Sequence, residues 1–275
     1  MGVWLIYFFV FLFGLVVGSF LNCVIYRLAL PNFSLKNLGG LKNRSYCPHC
    51  KKTLSWQDLI PVLSFLILRG RCRHCRQKIS WQYPLVEIAT GLLFLLIFNF
   101  QFSIFNEFSI FNFLKLIYYW TIACFLIVVF VYDLKHYIIP DQIVYPAILV
   151  SGIWYFISGI FDIYTKYEIL NTIYSAFGAA LFFLLIVLIS RGKWMGVGDI
   201  KLAFFMGLIL GFPNILVAIF SAFFIGAIIG IGLMLAGRKT MKSEIPFGPF
   251  LVTGTMSAIF FGESLTDWYL NLFLL

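Results

Sequence analysis

Long apolar runs separated by short polar turns dominate this chain. A helix needs about 20 apolar residues to cross the hydrocarbon core of a bilayer, and runs of that order recur along the sequence. We predict eight membrane segments, the sixth short enough to begin within the water-accessible rim. They span residues 3–25, 84–100, 113–132, 142–160, 172–190, 200–211, 214–236 and 247–262. The pattern therefore predicts an all-α, polytopic membrane helical bundle.

One polar stretch interrupts this pattern and defines the expected domains. The first apolar run lacks the basic start and the A-x-A cleavage site of a signal peptide, so residues 1–26 are predicted to be a retained helix. Residues 27–82 form a small soluble insertion, and residues 83–275 form the remaining membrane domain. The connections at 101–112 and 161–171 are polar and aromatic and carry no recognisable chemistry.

Two pairs of glycines have a spacing that favours close packing of membrane helices. Gly14 and Gly18 lie four residues apart in the first segment, as do Gly226 and Gly230 in the seventh. Small residues at this spacing let two helix backbones approach each other. We interpret both pairs as packing sites.

Composition and charge exclude a soluble globular domain and predict the topology. The sequence is 62% hydrophobic and 11% charged, with a net charge of +9. Eighteen of the 20 Lys and Arg residues fall in the insertion or beside turns on its side of the membrane, and only Lys115 and Lys166 remain for the other side. The positive-inside rule then places the insertion in the cytoplasm and both termini outside. Contact with anionic lipid explains part of this charge. Nothing indicates a nucleic-acid-binding fold.

The insertion carries two cysteine pairs with the spacing of a structural zinc site. Cys47 and Cys50 form one C-x2-C motif, and Cys72 and Cys75 form the second. Two such turns can direct four thiolates at one tetrahedral metal ion. A redox dithiol is the alternative, but disulfides rarely persist in the cytosol. Few large apolar residues accompany the motifs, so a zinc ion is expected to supply much of the folding free energy of the insertion.

Two aspartates at the ends of apolar segments are the candidate catalytic pair. Asp133 closes the third segment, and Asp199 opens the sixth after Gly196 and Gly198. A carboxylate beside hydrocarbon is costly and marks function by default. Facing carboxyls can share a proton, so that one acts as general base and the other as general acid. The two glycines would let a peptide approach. The alternative interpretation is ion pairing with Lys135 and Lys201.

Several blocks of sequence, in a fixed order, resemble the type IV prepilin peptidases, the GxGD class of aspartic proteases. The blocks are GSFLNCVIYRL at 18–28, CPHC at 47–50, WQDLIPVLS at 56–64, LRGRCRHC at 68–75, YPLVE at 83–87, the Asp133 to Asp141 run with Ile139 and Pro140, Pro146, GVGD at 196–199 and PFGP at 246–249. The resemblance covers most of the chain and excludes 101–118, 155–172 and 263–275.

The resemblance implies two activities. The family removes the short basic leader of prepilins or pseudopilins at the cytoplasmic face of the inner membrane, with Asp133 and Asp199 as the catalytic pair. Members with a four-cysteine insertion then methylate the new amino terminus from S-adenosylmethionine. We expect Asp141 to cap its helix or to contact substrate. No glycine-rich nucleotide loop is evident, so Glu87 and Asp58 remain the candidate cofactor ligands, against interfacial or ion-pairing roles.

Three rival interpretations stay open at this level. The first is a peptidase without methyltransferase activity. The second is a transporter whose carboxylates bind ions, and the third is a scaffold of pilus or secretion machinery. A transporter requires acids along a continuous path, and nothing in the sequence marks an outer mouth. A scaffold should tolerate Asp→Asn substitutions, whereas a peptidase should not.

Overall fold

A long helix covers each of the eight predicted segments in the computed structural model. The structure describes residues 2–30, 45–104, 110–161, 163–237 and 244–273. The helices are α1 (Gly2–Leu28), α2 (Leu63–Ile67), α3 (Gln82–Ile104), α4 (Ile110–His136), α5 (Asp141–Ile160), α6 (Lys166–Ser190), α7 (Val197–Leu210), α8 (Asn214–Leu235) and α9 (Gly248–Phe273), with a 3-10 helix at Trp56–Leu59. The all-α fold class is confirmed.

Part of the predicted insertion (31–44), part of the 101–112 connection (105–109) and the basic residues Arg238, Lys239 and Lys242 lie outside the described residues.

Six of these helices are long and apolar enough to cross a membrane by length and composition. They are α1, α3, α4, α5, α6 and α8. The other two predicted segments are helical but shorter or more polar. α7 has 14 residues, in line with the expectation that it starts within the rim. α9 carries Glu263 and Asp267 in its second half.

The chain packs as two units, residues 1–128 and residues 129–275. In the first unit, α1 packs against α3. In the second unit, α6 packs against α7 and α8 packs against α9. Buried aromatic and aliphatic side chains such as Phe183, Phe205 and Leu251 fill the core of the second unit. These contacts fix the start of α7, which carries Asp199, and the start of α9, whose Gly248 contacts Asp133.

Several predicted helix boundaries were wrong. α3 runs to Ile104 and α4 begins at Ile110, both within the predicted 101–112 connection, and α9 continues to Phe273, past the predicted end at 262. The sequence pattern placed residues 161–171 in a connection, but α6 already begins at Lys166. A capping box explains the earlier start: the Glu168 N–H donates to Thr165 Oγ1 (3.2 Å), and the Thr165 N–H donates to Glu168 Oε2 (2.7 Å). This T-x-x-E signal was readable in the sequence. The polar residues that follow it hid the helix from an analysis based on hydropathy.

Only one of the two glycine pairs packs closely at both positions. A Cβ at Gly14 would lie 2.7 Å from Gly91 Cα, and one at Gly18 would lie 2.7 Å from Glu87 Cα. In the second pair, a Cβ at Gly226 would lie 3.3 Å from the Phe250 ring, whereas one at Gly230 would meet no atom of the described residues within 4 Å. The packing role predicted for Gly230 is therefore wrong.

These glycines provide a matched test of the α1–α3 contact. We expect Gly14→Ala to destabilise the protein by roughly 1–3 kcal/mol, the typical cost of overpacking, because the new methyl group meets backbone that cannot move aside. Gly230→Ala makes the same chemical change on an open helix face and should leave stability unchanged or slightly higher. Thermal unfolding in detergent measures the difference. Equal melting temperatures for the two variants would contradict the packing assignment.

Candidate active site and metal centre

The carboxyl group of Asp133 is buried in the last turn of α4. Asp133 is 4% exposed, and its Oδ2 accepts a hydrogen bond from the backbone N–H of Gly248 at 3.0 Å. Gly248 is the first residue of α9, where backbone N–H groups have no partner within the helix. A Cβ at position 248 would lie 2.6 Å from this same oxygen. Glycine is therefore required here for the carboxyl group to reach the helix end.

Asp199 has an equivalent arrangement in the first turn of α7. The residue is 7% exposed, and its Oδ2 accepts a hydrogen bond from the Gly196 N–H at 3.0 Å. Gly196 is the residue immediately before α7. Each of the two aspartates is thus held through one oxygen by a glycine N–H at the beginning of a helix.

The two carboxyl groups lie near enough for the charge of Asp133 to act on Asp199. Within the described chain, the second oxygen of each carboxyl accepts no hydrogen bond. No Lys or Arg of the described residues forms an ion pair with either aspartate, against the alternative interpretation of the sequence. Two nearby buried carboxyls without a counter-ion favour sharing a proton, because ionising both would place two like charges together.

The two glycines before Asp199 differ in their surroundings. A Cβ at Gly198 would lie 3.0 Å from Ile139 Cβ, in the turn that joins α4 to α5. A Cβ at Gly196 would have only ordinary contacts, the nearest of them Asp199 Oδ2 at 3.8 Å. The absence of a side chain at Gly198 lets this turn approach the start of α7, whereas Gly196 contributes its N–H.

Asp141 begins α5. It forms an ion pair with Lys201, whose Nζ lies 2.7 Å from Oδ1 and 2.8 Å from Oδ2. The Lys201 ammonium also lies 5.1 Å from the centre of the Tyr145 ring. The lysine that the sequence suggested as a partner for Asp199 is instead paired with Asp141. Helix capping or substrate contact by Asp141 stays a prediction.

A cavity of about 330 Å³ in the second unit is lined by sequence neighbours of Asp133 and of Gly248. Leu134 follows Asp133 in α4, and Pro249 follows Gly248 in α9; both line the cavity. The remaining lining is mostly apolar, with Glu244 among the polar residues. An apolar side chain placed here would lie next to the helix ends that hold Asp133.

The four cysteines of the insertion form one cluster. Their Sγ atoms all lie within 4.8 Å of one another, and Cys47 Sγ lies 3.8 Å from Cys75 Sγ. Four sulfurs at about 2.3 Å from a tetrahedral zinc ion would be about 3.8 Å apart, so the donor set fits this metal. Backbone N–H groups of Cys75 and His74 donate to Cys72 and lower its pKa to about 7, whereas burial and hydrogen bonds with the other thiols raise the pKa of Cys75 to about 11.

The two cysteine turns have the same backbone design. An isolated β-bridge closes each turn, Tyr46 with Thr53 and Arg71 with Lys78. In each, the residue after the second cysteine has a positive φ, 58° at Lys51 and 57° at Arg76. The left-handed residue reverses the chain, and both cysteines of the turn then face the cluster.

Asp58 ties the 3-10 helix to the second cysteine turn. Burial opposes ionisation of this carboxyl, but hydrogen bonds from Ser55 and Arg73 outweigh it and lower the pKa of Asp58. Arg73 Nε lies 2.9 Å from Oδ1 and its terminal nitrogen lies 2.8 Å from the same atom. Ser55 Oγ donates to Oδ2 at 2.8 Å. Both oxygens are engaged, so the surroundings of Asp58 fit the ion-pairing role and do not fit a cofactor ligand.

Glu87 is buried in the first unit and holds a strained turn. It is 7% exposed, and its Oε2 accepts a hydrogen bond from the Val62 N–H at 2.8 Å. Val62 has φ 60° and ψ −51°, a region that β-branched residues rarely adopt. Nearby, the buried Asn22 amide donates to the Tyr83 carbonyl at 3.0 Å. Strained backbone persists where its surroundings hold it, and Glu87 supplies such a restraint.

Sequence reasoning missed the roles of two residues in these sites. Gly248 was quoted only as part of the PFGP block. It lies at the start of a predicted helix, however, where a backbone N–H has no partner within the helix. Val62 belonged to the WQDLIPVLS block, but no local pattern revealed its positive φ or its bond to Glu87. Both contacts join residues far apart in the chain.

Two family models match the chain, one in each half. Residues 12–100 match the model described as "Bacterial Peptidase A24 N-terminal domain". Residues 120–231 match the model described as "Type IV leader peptidase family". The first match contains all four clustered cysteines, and the second contains Asp133 and Asp199. No solved structure matches the chain.

Curated relatives match over nearly the full length of the chain. A protein of Aeromonas hydrophila is 31% identical over 98% of this chain and 96% of its own length. Others from Legionella pneumophila and Bacillus subtilis (strain 168) are each 32% identical, over 98% and 95% of this chain and 96% and 97% of their own. All three carry the name "Prepilin leader peptidase/N-methyltransferase".

Proposed function

Because the chain belongs to the type IV leader peptidase family, we propose that it is a prepilin leader peptidase and N-methyltransferase. It removes the short basic leader of type IV prepilins or pseudopilins and methylates the new amino terminus. One observation carries the peptidase assignment: the charge of one buried carboxyl acts on the other, and each is anchored through one oxygen to a helix-start glycine. This arrangement leaves one oxygen of each carboxyl for chemistry.

We propose Asp133 and Asp199 as the catalytic pair. One carboxylate removes a proton from water, and the water oxygen attacks the carbonyl carbon of the scissile bond. The other carboxyl, protonated, donates to the carbonyl oxygen and stabilises the tetrahedral intermediate. Transfer of a proton to the departing nitrogen then breaks the C–N bond. The glycine N–H bonds orient both side chains, so little reorganisation is needed.

Three further residues would support this pair. Gly196 supplies the N–H that holds Asp199, and Gly198 lets the α4–α5 turn pack against the start of α7. Asp141 occupies Lys201 and so keeps its positive charge from pairing with Asp199. The apolar cavity lined by sequence neighbours of Asp133 is suited to a side chain of the substrate helix close to the scissile bond.

We propose that Cys47, Cys50, Cys72 and Cys75 hold a structural zinc ion. The mutual distances of the sulfurs, all within 4.8 Å and 3.8 Å between Cys47 and Cys75, support this assignment. All four protein ligands are sulfur and leave no open coordination position, as is typical of structural rather than catalytic zinc. The metal would fix the two turns of the insertion, which we treat as a module spanning 27–82 between a first helix (1–26) and a peptidase domain (83–275).

The methyl donor of the proposed second activity is S-adenosylmethionine. Glu87 is the better candidate to contact this cofactor or the substrate amine, since Asp58 already uses both oxygens. Glu87 Oε2 is engaged by Val62. We therefore propose that it acts first as a positioning residue for the turn at 60–63, and we assign no step of methyl transfer to it.

The chain is a multi-pass protein of the inner membrane, and we propose that its insertion and catalytic aspartates face the cytoplasm. The excess of Lys and Arg in and beside the insertion supports this orientation. A prepilin places its basic leader in the cytoplasm and its apolar helix in the membrane, so the scissile bond would meet Asp133 and Asp199 at the inner rim. We propose prepilins and membrane lipid as partners, and no nucleic acid.

The function is tested by incubating the purified protein with a candidate prepilin and S-adenosylmethionine. Mass spectrometry of the product should show loss of the leader and a gain of one methyl group at the new amino terminus. Cleavage without methyl gain would reduce the function to a peptidase alone. An unchanged prepilin mass, across a panel of prepilins and pseudopilins, would refute the proposal.

The two activities should be separable by substrate. We expect Asp199→Asn protein to methylate a synthetic peptide that already begins at the mature amino terminus, but not an intact prepilin, whose amine is still in a peptide bond. Transfer of labelled methyl to each peptide measures this. If the variant fails on the pre-cut peptide while unmutated protein succeeds, the two reactions share one site.

A further inference from the structure

The cysteine-containing insertion carries an exposed apolar surface, which we call the apolar face. It consists of seven large side chains on the 3-10 helix, α2 and the start of α3: Trp56, Leu59, Leu63, Leu66, Ile67, Trp81 and Leu85. Ile67 and Trp56 are the most exposed, at 74% and 73%. A contiguous apolar surface on an otherwise basic module marks an interaction site.

The helix α2 is folded against its own unit and still presents this face. Its Phe65 is buried and packs on the Trp81 ring with 4.9 Å between centroids. Leu63, Leu66 and Ile67 follow the i, i+3, i+4 spacing of one helix side and point away from that contact. The exposure is therefore a property of the folded helix.

The apolar face continues the lipid-facing surface of a membrane helix. α3 is one of the membrane-length helices, and its Leu85, Ile88, Leu92 and Leu96 are exposed along one side. The Ile79 N–H donates to the Gly70 carbonyl at 2.8 Å, which fixes the end of α2 beside the start of α3. Trp81 lies at the junction, the position at which tryptophan is enriched in membrane proteins.

Positive charges border the apolar face. Arg69, Arg71, Arg76 and Lys78 are exposed on the segment between α2 and α3. The one acid of the insertion, Asp58, is occupied by Arg73. The border is thus complementary to anionic phospholipid headgroups, which attract basic residues close to the membrane surface.

We propose that the apolar face lies in the headgroup region of the membrane and docks the metal-binding insertion on anionic phospholipid. α2 would lie in the plane of the interface with Leu63, Leu66 and Ile67 inserted among the acyl chains, as interfacial amphipathic helices do. The insertion is then a membrane-bound module rather than one surrounded by water. This proposal rests on the membrane location of the chain and on neither enzymatic activity.

Photo-crosslinking in full-length protein tests the occupant of this face. A benzophenone amino acid replaces Ile67 in protein reconstituted into nanodiscs that contain phosphatidylglycerol, and mass spectrometry identifies the adducts. We expect phospholipid adducts at position 67, at least several-fold above those at His49, an exposed polar residue of the first cysteine turn. Adducts mainly with a second copy or with an added prepilin, or equal lipid labelling at both positions, would overturn the proposal.

A second variant separates docking from folding. Leu66→Asp with Trp56→Ser should increase hydrogen exchange of α2 in nanodiscs, since an undocked α2 is exposed to water, while the zinc content stays at one per chain. The same substitutions in detergent should give a smaller change. No change in exchange in nanodiscs, with zinc retained, would show that lipid does not cover this face. Prepilin cleavage is measured in parallel, so a failure of docking is distinguishable from a failure of the enzyme.

Discussion

We expect prepilin cleavage to fall by roughly 100- to 10,000-fold in Asp133→Asn and in Asp199→Asn, the range that positioned acid–base groups contribute. An amide keeps the shape of the side chain and can still accept the glycine N–H bond. It cannot take up a proton from water or supply one to the substrate carbonyl. Initial cleavage rates of a purified prepilin measure the loss, and circular dichroism with zinc content confirms that each variant is folded.

Two other aspartates provide controls for this prediction. Asp267→Asn changes an exposed residue near the end of α9 and should leave the rate unchanged. Asp141→Asn removes the partner of Lys201 and should retain substantial activity, because the pair supports the site without touching the reacting atoms. Near-normal cleavage by Asp133→Asn or Asp199→Asn would refute the catalytic pair. Complete loss in Asp141→Asn would make Asp141 the partner of Asp199.

We expect Cys47→Ser and Cys72→Ser to lose metal, from about one zinc per chain to near zero. Removing one thiolate leaves three ligands, and structural zinc contributes about 10–16 kcal/mol in small peptides at pH 7. We expect hydrogen exchange to rise across the described part of 27–82. Methylation should fall more than cleavage, because the proposed catalytic aspartates belong to the unit at 129–275.

The chain contains a matched control for the cysteine variants. Cys23 lies in α1 and outside the metal cluster, so Cys23→Ser should keep the zinc and both activities. Metal analysis of protein purified without chelator gives the baseline. Unmutated protein without zinc would contradict the metal site. Loss of cleavage in Cys47→Ser as complete as in Asp199→Asn would contradict the separation of the two activities.

Hydropathy was sufficient to predict the eight helices outside the insertion, since a helix in lipid must be both long and apolar. It also placed Asp133 and Asp199 at helix ends, because each interrupts an apolar run. The start of α6 was missed, as its first turn is polar and only the capping box at Thr165 marks it. Local patterns are reliable where the membrane alone determines the structure.

The hydrogen bonds that orient the site could not be predicted from local patterns. Gly248 and Asp133, which form one of these bonds, lie 115 residues apart in the sequence. Lys201 and Asp141 lie 60 residues apart. The sequence suggested Lys201 only as a partner for the candidate catalytic pair, and the packing of α5 against α7 brings it to Asp141 instead. The bond from Val62 to Glu87 is similar, since the strained turn depends on a side chain in α3.

The bond between Gly248 and Asp133 also has a consequence for biosynthesis. A ribosome reaches Gly248 after the rest of the proposed catalytic apparatus has been translated, and the N–H that orients Asp133 is unavailable until then. The nascent enzyme would thus carry both aspartates without a competent site. It could not cleave its own unfinished helices during synthesis. A chain truncated before residue 244 should insert into the membrane and cleave no prepilin; a truncated chain with normal cleavage would refute this order of maturation.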